Sequence, residues 1–287
     1  MWLPWQTAAQ LAIVLVALLM IVRVTRLDVH DQLVGAATVT LHEVTVVLVL
    51  YALWQYVGDL AVTKVAGAER HASWVYDVER ALHLPRELTL QRALLPHDLT
   101  IQFLNLYYAA VHVPAIGILL LWLFFGHRAG YPAIRNVLAL TTAGCLLIQT
   151  VPVAPPRLMP RLGFVDSGLE HHQSVYGTGG SGISNQLAAM PSLHVGWSVL
   201  VAYAAITLGR GRWRWLVVAH PVLTMLAVVA TGNHWWLDGV VAAAVLAAAI
   251  AAQRATRHLV RALRGHDDLA PREAALACSE QATSSLR

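Results

Sequence analysis

Seven long apolar stretches dominate the chain, at 6–24, 34–60, 100–125, 133–152, 192–209, 214–231 and 235–253. A helix needs about 20 mostly apolar residues to cross a bilayer. In lipid every backbone N–H and C=O must find its partner inside the structure, so continuous apolar runs of this length fold as helices. Charged residues make up only 13% of the chain, against about 25% in soluble domains. The mean hydropathy of +0.57 and that shortage of charge exclude a disordered chain and argue against a soluble enzyme. The fold class expected is therefore all-α, a polytopic membrane helix bundle with seven transmembrane helices. The first stretch reads as a span and not as a signal peptide, because Met1-Trp2-Leu3-Pro4-Trp5-Gln6 carries no basic residue ahead of it. Cys145 and Cys278 make no disulfide framework.

Seven spans put the termini on opposite sides. Thirteen of the 20 Lys and Arg residues then fall on the side of the C-terminus: Arg23, Arg26, Arg128, Arg135, Arg210, Arg212, Arg214, Arg254, Arg257, Arg261, Arg264, Arg272 and Arg287. Basic residues in short loops face the cytoplasm. The N-terminus is accordingly expected outside, with the loops 61–99, 153–191 and 232–234, and the C-terminus in the cytoplasm. Gly209-Arg210-Gly211-Arg212-Trp213-Arg214 is the clearest inside marker. Within the first long outer loop, 69–83 and 86–95 mix apolar and charged residues at helical spacing. Trp74, Val75, Val78, Ala81 and Leu82 stand against Glu69, Arg70, Asp77, Glu79 and Arg80. Two short helices lying on the outer leaflet are expected there. Residues 1–265 form the membrane domain, and the polar tail 266–287 is expected to be disordered.

Polar residues that lipid packing does not explain collect at the outer ends of spans. One segment holds Pro152, Pro155, Pro156 and Arg157, a second Met190-Pro191-Ser192-Leu193-His194, and a third Gly232-Asn233-His234-Trp235-Trp236-Leu237-Asp238. His234 and Asp238 are four apart at a helix start and share one face. A carboxylate that takes the Nδ1 proton of His234 leaves Nε2 as a nucleophile. Ser192 begins a helix whose free N–H groups suit an anion, or it is an ordinary N-cap. His194, in the first turn, is placed to protonate a leaving oxygen. Arg157 offers a planar fork to phosphate. A His and an Asp at this spacing also suit a metal site, with His194 and His171 or His172 completing the set. Glu43, beside His42 in the second span, reads as a structural partner, Arg135 as an inside anchor, and Cys145 as core. Gly177-Thr178-Gly179-Gly180-Ser181-Gly182 reads as a linker or lid, with an anion-binding nest as the alternative.

Pro191-Ser192-Leu193-His194 resembles the Pro-Ser-Gly-His motif of the type 2 phosphatidic acid phosphatase superfamily, and His234-x-x-x-Asp238 resembles its third motif. Ala189-Met190-Pro191-Ser192-Leu193-His194, preceded by Pro155-Pro156-Arg157, is closer to the inositol phosphorylceramide synthase branch, the aureobasidin target. Asn105-x-Tyr107-Tyr108-x-x-x-His112 resembles the same branch, and the likeness covers roughly 100–240. The resemblance implies a six-helix core with one N-terminal helix added. It implies that His234 attacks phosphorus to form a phosphohistidine, that Asp238 orients it, and that His194 is the general acid. Asn105, Tyr107, Tyr108 and His112 are expected to line the substrate pocket, and Arg157 and Ser192 to bind phosphate. The chain departs from the wider superfamily at Thr150, where the first motif has Lys, and at Ala227 and Val228, where Ser-Arg precedes the third-motif His. Arg161, His171 and His172 are the candidates to compensate.

The expectation is an integral membrane lipid phosphotransferase or phosphatase at the external face of the plasma membrane. It takes a membrane lipid substrate and a possible alcohol or polyol acceptor, needs no cofactor or metal, and has no nucleic-acid partner. A simple lipid-phosphate phosphatase and a non-catalytic lipid-binding or transport protein are the alternatives. The orientation is testable by cysteine labelling of intact cells with an impermeant reagent. A single cysteine introduced within 170–182 is expected to react and one within 210–213 to stay protected, and the opposite pattern would reverse the topology.

Overall fold

A computed structural model describes residues 4–24, 32–62, 67–174 and 186–284. Regular structure among these residues is helical, apart from one isolated parallel bridge between Val153 and Ala188. The helices are α1 (Trp5–Val24), α2 (Gln32–Val62), α3 (Ala68–Ala81), α4 (Glu87–Leu94), α5 (Asp98–Ala110), α6 (His112–Gly126), α7 (Tyr131–Ile148), the short α8 (Ser167–Glu170), α9 (Leu193–Leu208), α10 (Ala219–Ala230) and α11 (Trp236–Ser284). A 3-10 helix, Arg212–Val218, leads into α10.

Among the described residues, four segments are long and apolar enough to cross a membrane: Trp5–Val24, Tyr131–Ile148, Arg212–Ala230 and Trp236–Ala262. The expected third span is a bent pair, α5 and α6, which meet at 49° and would make a fifth span if they cross as one. Pro114 explains the break. It has no N–H to give to Ala110, four residues earlier, and its ring crowds that carbonyl. Ala37–Leu53 and Leu193–Leu208 are apolar but shorter.

α1 lies on α2, α2 on α7, and α9 contacts α6, α7 and α10, while α10 also packs on α4 and α5. Polar atoms join α2 to α7, where Glu43 accepts hydrogen bonds from Tyr131 (2.9 Å) and from Arg135. A lone charge at mid-membrane costs about 3 kcal/mol on insertion scales; pairing offsets that cost, so Glu43 is the structural partner its position suggested, and Arg135 is more than an anchor.

The pair α3 and α4 forms where the amphipathic pattern called for it, but it buries a different face. Ala68, Ala72 and Val75 pack into a core with Val153, Ala154, Met159, Phe164, Leu187, Ala189 and Trp235. Trp74 is 64% exposed and Leu82 58%, whereas Glu79 and Glu87 are fully buried. The stripe read as a lipid-facing surface is thus split. Its Val75 edge is protein core, and Glu79, one turn on, follows Val75 inward.

The second compact unit, Ala247–Arg287, is the remainder of α11. Its polar segment, expected to be disordered, continues as helix to Ser284. Ala, Leu, Glu, Gln and Arg supply high helix propensity there.

Candidate active site

The three polar segments meet at one end of the bundle, where α7 and α10 end and α9 and α11 begin. The turn between α10 and α11 is the mould. Thr231 N–H donates to Ala227, Gly232 N–H to Val229 (3.0 Å), and Asn233 and His234 N–H both to Val228 (2.9 and 3.0 Å). Gly232 has φ +70°, and a Cβ there would lie 3.0–3.2 Å from Gln91 and from Arg157. Only glycine takes this φ without strain and also lets Arg157 N–H donate to Gly232 C=O at 2.8 Å. Trp235 is fully buried, with Nε1–H on Ala154 C=O (3.0 Å) and its ring edge-to-face with Tyr76 and Phe164.

This turn aims His234 inward. Its Nδ1 sits 2.7 Å from Ala189 C=O and 3.1 Å from Asp238 Oδ2. Both neighbours are acceptors, so Nδ1 carries the proton and Nε2 presents a lone pair. Asp238 is fully buried; its Oδ2 also accepts Trp235 N–H (2.8 Å), and its C=O accepts Ser192 N–H (3.0 Å). That last bond fastens the second segment to the third. Gln149, at the end of α7, fixes the second segment from the other side by donating to Pro191 C=O (2.9 Å).

Ser192 is fully buried and caps α9, its Oγ accepting Val195 N–H at 3.4 Å. His194 follows in the first turn. Its ring centroid lies 5.8 Å from that of His234, 4.5 Å from Tyr108 and 4.6 Å from His112. Tyr108 lies 6.5 Å from His234. The two candidate catalytic histidines therefore lie close together against the rings of Tyr108 and His112, which flank the α5–α6 bend. Tyr107 turns away to bond His220 (2.5 Å). Asn105 holds α8 and the loop after it, donating to Ser167 C=O (3.1 Å) and Gln173 (3.2 Å). Asn105, Tyr108, Arg157, Asp166, Gln173 and Asn233 border one small cavity.

Arg157 is buried, with Nε on Asn233 Oδ1 (2.9 Å) and Nη1 on Asp166 Oδ2 (3.0 Å). The fork read as a phosphate clamp is thus held in place by Asn233, beside His234 in sequence, and by Asp166. Sequence reading passed over both, although Asn233 adjoins the His234 motif. Of the compensating cations, Arg161 is exposed and donates to Ser73 (2.6 Å). His172 is exposed and His171 half-buried. The segment 177–182 lies outside the described residues. No three His, Cys, Asp or Glu side chains among the described residues converge as metal ligands.

A model of the PAP2 superfamily matches residues 73–252, more than half of the chain. The chain belongs to the PAP2 superfamily. No curated protein and no solved structure matches it. The match spans α3 to α11, so the capping pair α3–α4 belongs to the PAP2 region, while α1 and α2 precede it. The chain's departures from the superfamily pattern now have a place. Ala227 and Val228 are fully buried, packed against Leu104 and Tyr107 and against Tyr108 and Val195. Neither side chain offers a group that binds phosphate, and the Val228 carbonyl accepts the N–H groups of Asn233 and His234 that shape the turn.

Gly232→Ala tests the mould. The variant is expected to lose about 1–3 kcal/mol of stability through strain and crowding, with a lower thermal midpoint in detergent, and to lose most of its activity. A wild-type midpoint would show that the turn tolerates a Cβ.

Proposed function

We propose that the chain is a lipid phosphotransferase or phosphatase of seven spans, working through a phosphohistidine at the external membrane face. The observation that carries this reading is the double acceptor environment of His234 Nδ1, Ala189 C=O and Asp238 Oδ2, which leaves Nε2 basic. PAP2 membership supports a lipid-phosphatase type of membrane enzyme.

The chemistry has two steps. His234 Nε2 attacks phosphorus as the bond to the leaving oxygen breaks, and His194 gives that oxygen its proton. Water or an alcohol then attacks the phosphohistidine, giving its own proton to His194, and His234 is released. Asp238 stabilises the positive charge that His234 gains. Arg157, set by Asn233 and Asp166, is the cation available to the equatorial oxygens. Tyr108 and His112 lie beside the two histidines, where a lipid head group is expected. The buried Ala227 and Val228 where other members carry Ser-Arg, together with the Ala189–His194 motif, favour the synthase-like branch. Transfer requires that water be kept from the phosphohistidine, and α3, α4 and the 163–174 segment cover this end of the bundle. A simple phosphatidic acid or polyprenyl phosphate phosphatase is the second reading, since the same cover also suits a hydrolase that selects its lipid.

His234→Asn is expected to abolish both turnover and phosphoenzyme. His194→Asn is expected to slow turnover about 10²–10⁴-fold for a lipid phosphate but much less for a substrate with an acidic leaving group. Equal losses for both leaving groups in the two variants would overturn the assigned roles.

Product analysis decides between transfer and hydrolysis. Mass spectrometry of the purified chain in excess EDTA, given lipid phosphates with and without a polyol or lipid alcohol, should show faster group transfer with the alcohol present. Rapid phosphate release with no transfer would identify a phosphatase. Activity lost to EDTA and restored by zinc or manganese would place a metal at the site.

A further inference from the structure

Two carboxyl groups lie fully buried behind the site, and the mechanism above uses neither. Glu79 in α3 and Glu87 in α4 are both 0% exposed. Glu79 Oε1 accepts the N–H of Leu237 at 2.8 Å, the residue next to Asp238 in the first turn of α11. Glu87 Oε2 accepts from Arg80 at 3.2 Å. The other two oxygens, Glu79 Oε2 and Glu87 Oε1, are buried without a nitrogen or hydroxyl donor, and Glu87 is the neighbour that, after burial, most raises the Glu79 carboxyl. Two carboxylates have acceptors only, so a hydrogen bond between them needs a proton.

Resting on the reading of His234 as nucleophile, we propose that Glu79 and Glu87 share one proton and act as a positioning pair, holding the Leu237–Asp238 turn against the cap and thereby keeping Asp238 behind His234. The charged groups facing the pair are few. Arg80 of α3 pairs with Glu87; Asp238 of α11 and His234 of the turn before it form a pair in the same segment as Leu237; and Arg157 in the neighbouring loop is engaged by Asp166 and Asn233. One positive charge, from Arg80, therefore meets the single negative charge of the half-protonated pair. Losing the proton would put a second negative charge beside Asp238.

The Glu79 carboxyl is pushed up to about 9, first by burial, then by the neighbouring Glu87 carboxyl, with the charges of Glu87 and Asp238 adding to the rise and the Leu237 N–H opposing it. The sign follows. A carboxyl whose folded value is raised stabilises the fold fully below about 4.5, and this contribution is lost as pH climbs through about 9. Stability and activity should both decline on the alkaline side.

The test compares the full wild-type chain, E79Q and E79L in detergent. A glutamine keeps both contacts without a proton to lose: its carbonyl accepts Leu237 N–H and its amide donates to Glu87. With short-chain phosphatidic acid as the probe, E79L should lower kcat about tenfold or more with a smaller change in KM. E79Q should restore most of kcat and remove the alkaline limb near pH 9. An E79Q profile that keeps the wild-type limb would overturn the proposal. Two measurements need no substrate. The infrared spectrum should show a protonated-carboxyl band that titrates in wild type and disappears in E79Q. Nitrogen NMR of labelled histidine should show the Nδ1–H form of His234 in wild type and E79Q but not in E79L. An unchanged band, or an unchanged His234 signal in E79L, would refute the pair's role even if no lipid phosphate proved to be a substrate; inactivity towards all lipid phosphates with these spectra as expected would instead refute the enzymatic reading.

Discussion

Asp238 is where the structure is tied together. Its Oδ2 accepts from His234 Nδ1 and from Trp235 N–H, and its backbone C=O accepts Ser192 N–H. One residue thus closes the α10–α11 turn, orients the candidate nucleophile and docks the start of α9, which carries His194. Two donors, His234 Nδ1–H and Trp235 N–H, hold the buried carboxylate through Oδ2, while Oδ1 is buried without a donor. The proton of His234 Nδ1 is both a structural bond and the reason that Nε2 is free for chemistry.

The same economy of polar groups governs the rest of the bundle. In an apolar surround each buried charge needs a partner, and the chain supplies them in sets. Glu43 takes Arg135 and Tyr131, Arg157 takes Asp166 and Asn233, and Glu87 takes Arg80. Gln91 acts like a peptide unit, donating to Val165 C=O (3.0 Å) and accepting Val165 N–H (3.1 Å). That bidentate bond stitches α4 to the segment beside Arg157. The cap is therefore held to the site by directional bonds as well as by the apolar cluster around Trp235.

Irregular backbone appears where function is proposed. The α5–α6 break at Val111, the glycine turn at Gly232 and the Pro-rich segment 152–160 adjoin His112, His234 and Arg157 of the candidate site. Lipid-exposed helices have no reason to break, whereas a cavity wall needs side chains brought in from several directions. Pro114 and Gly232 are the local causes of two of these irregularities, and both are plain in the sequence.

Much of the chain was legible before any tertiary structure. Long apolar runs demand helices, because lipid offers no hydrogen bonds to a bare backbone, and the four-residue spacing of His234 and Asp238 fixes their common face whatever surrounds them. The amphipathic pattern likewise gave α3 and α4. What it could not give was the partner for each face: periodicity reports that a stripe is apolar, not whether lipid or protein covers it, so Trp74 and Val75 looked alike and Glu79 looked exposed. The bend at Pro114 in the third stretch was not visible either, since hydropathy averages over a break. Arg157, Asn233 and Asp166 come from three separate segments, and Ala189 C=O reaches His234 across 45 residues. Such pairings depend on how loops cross at the end of the bundle, and only tertiary packing decides that.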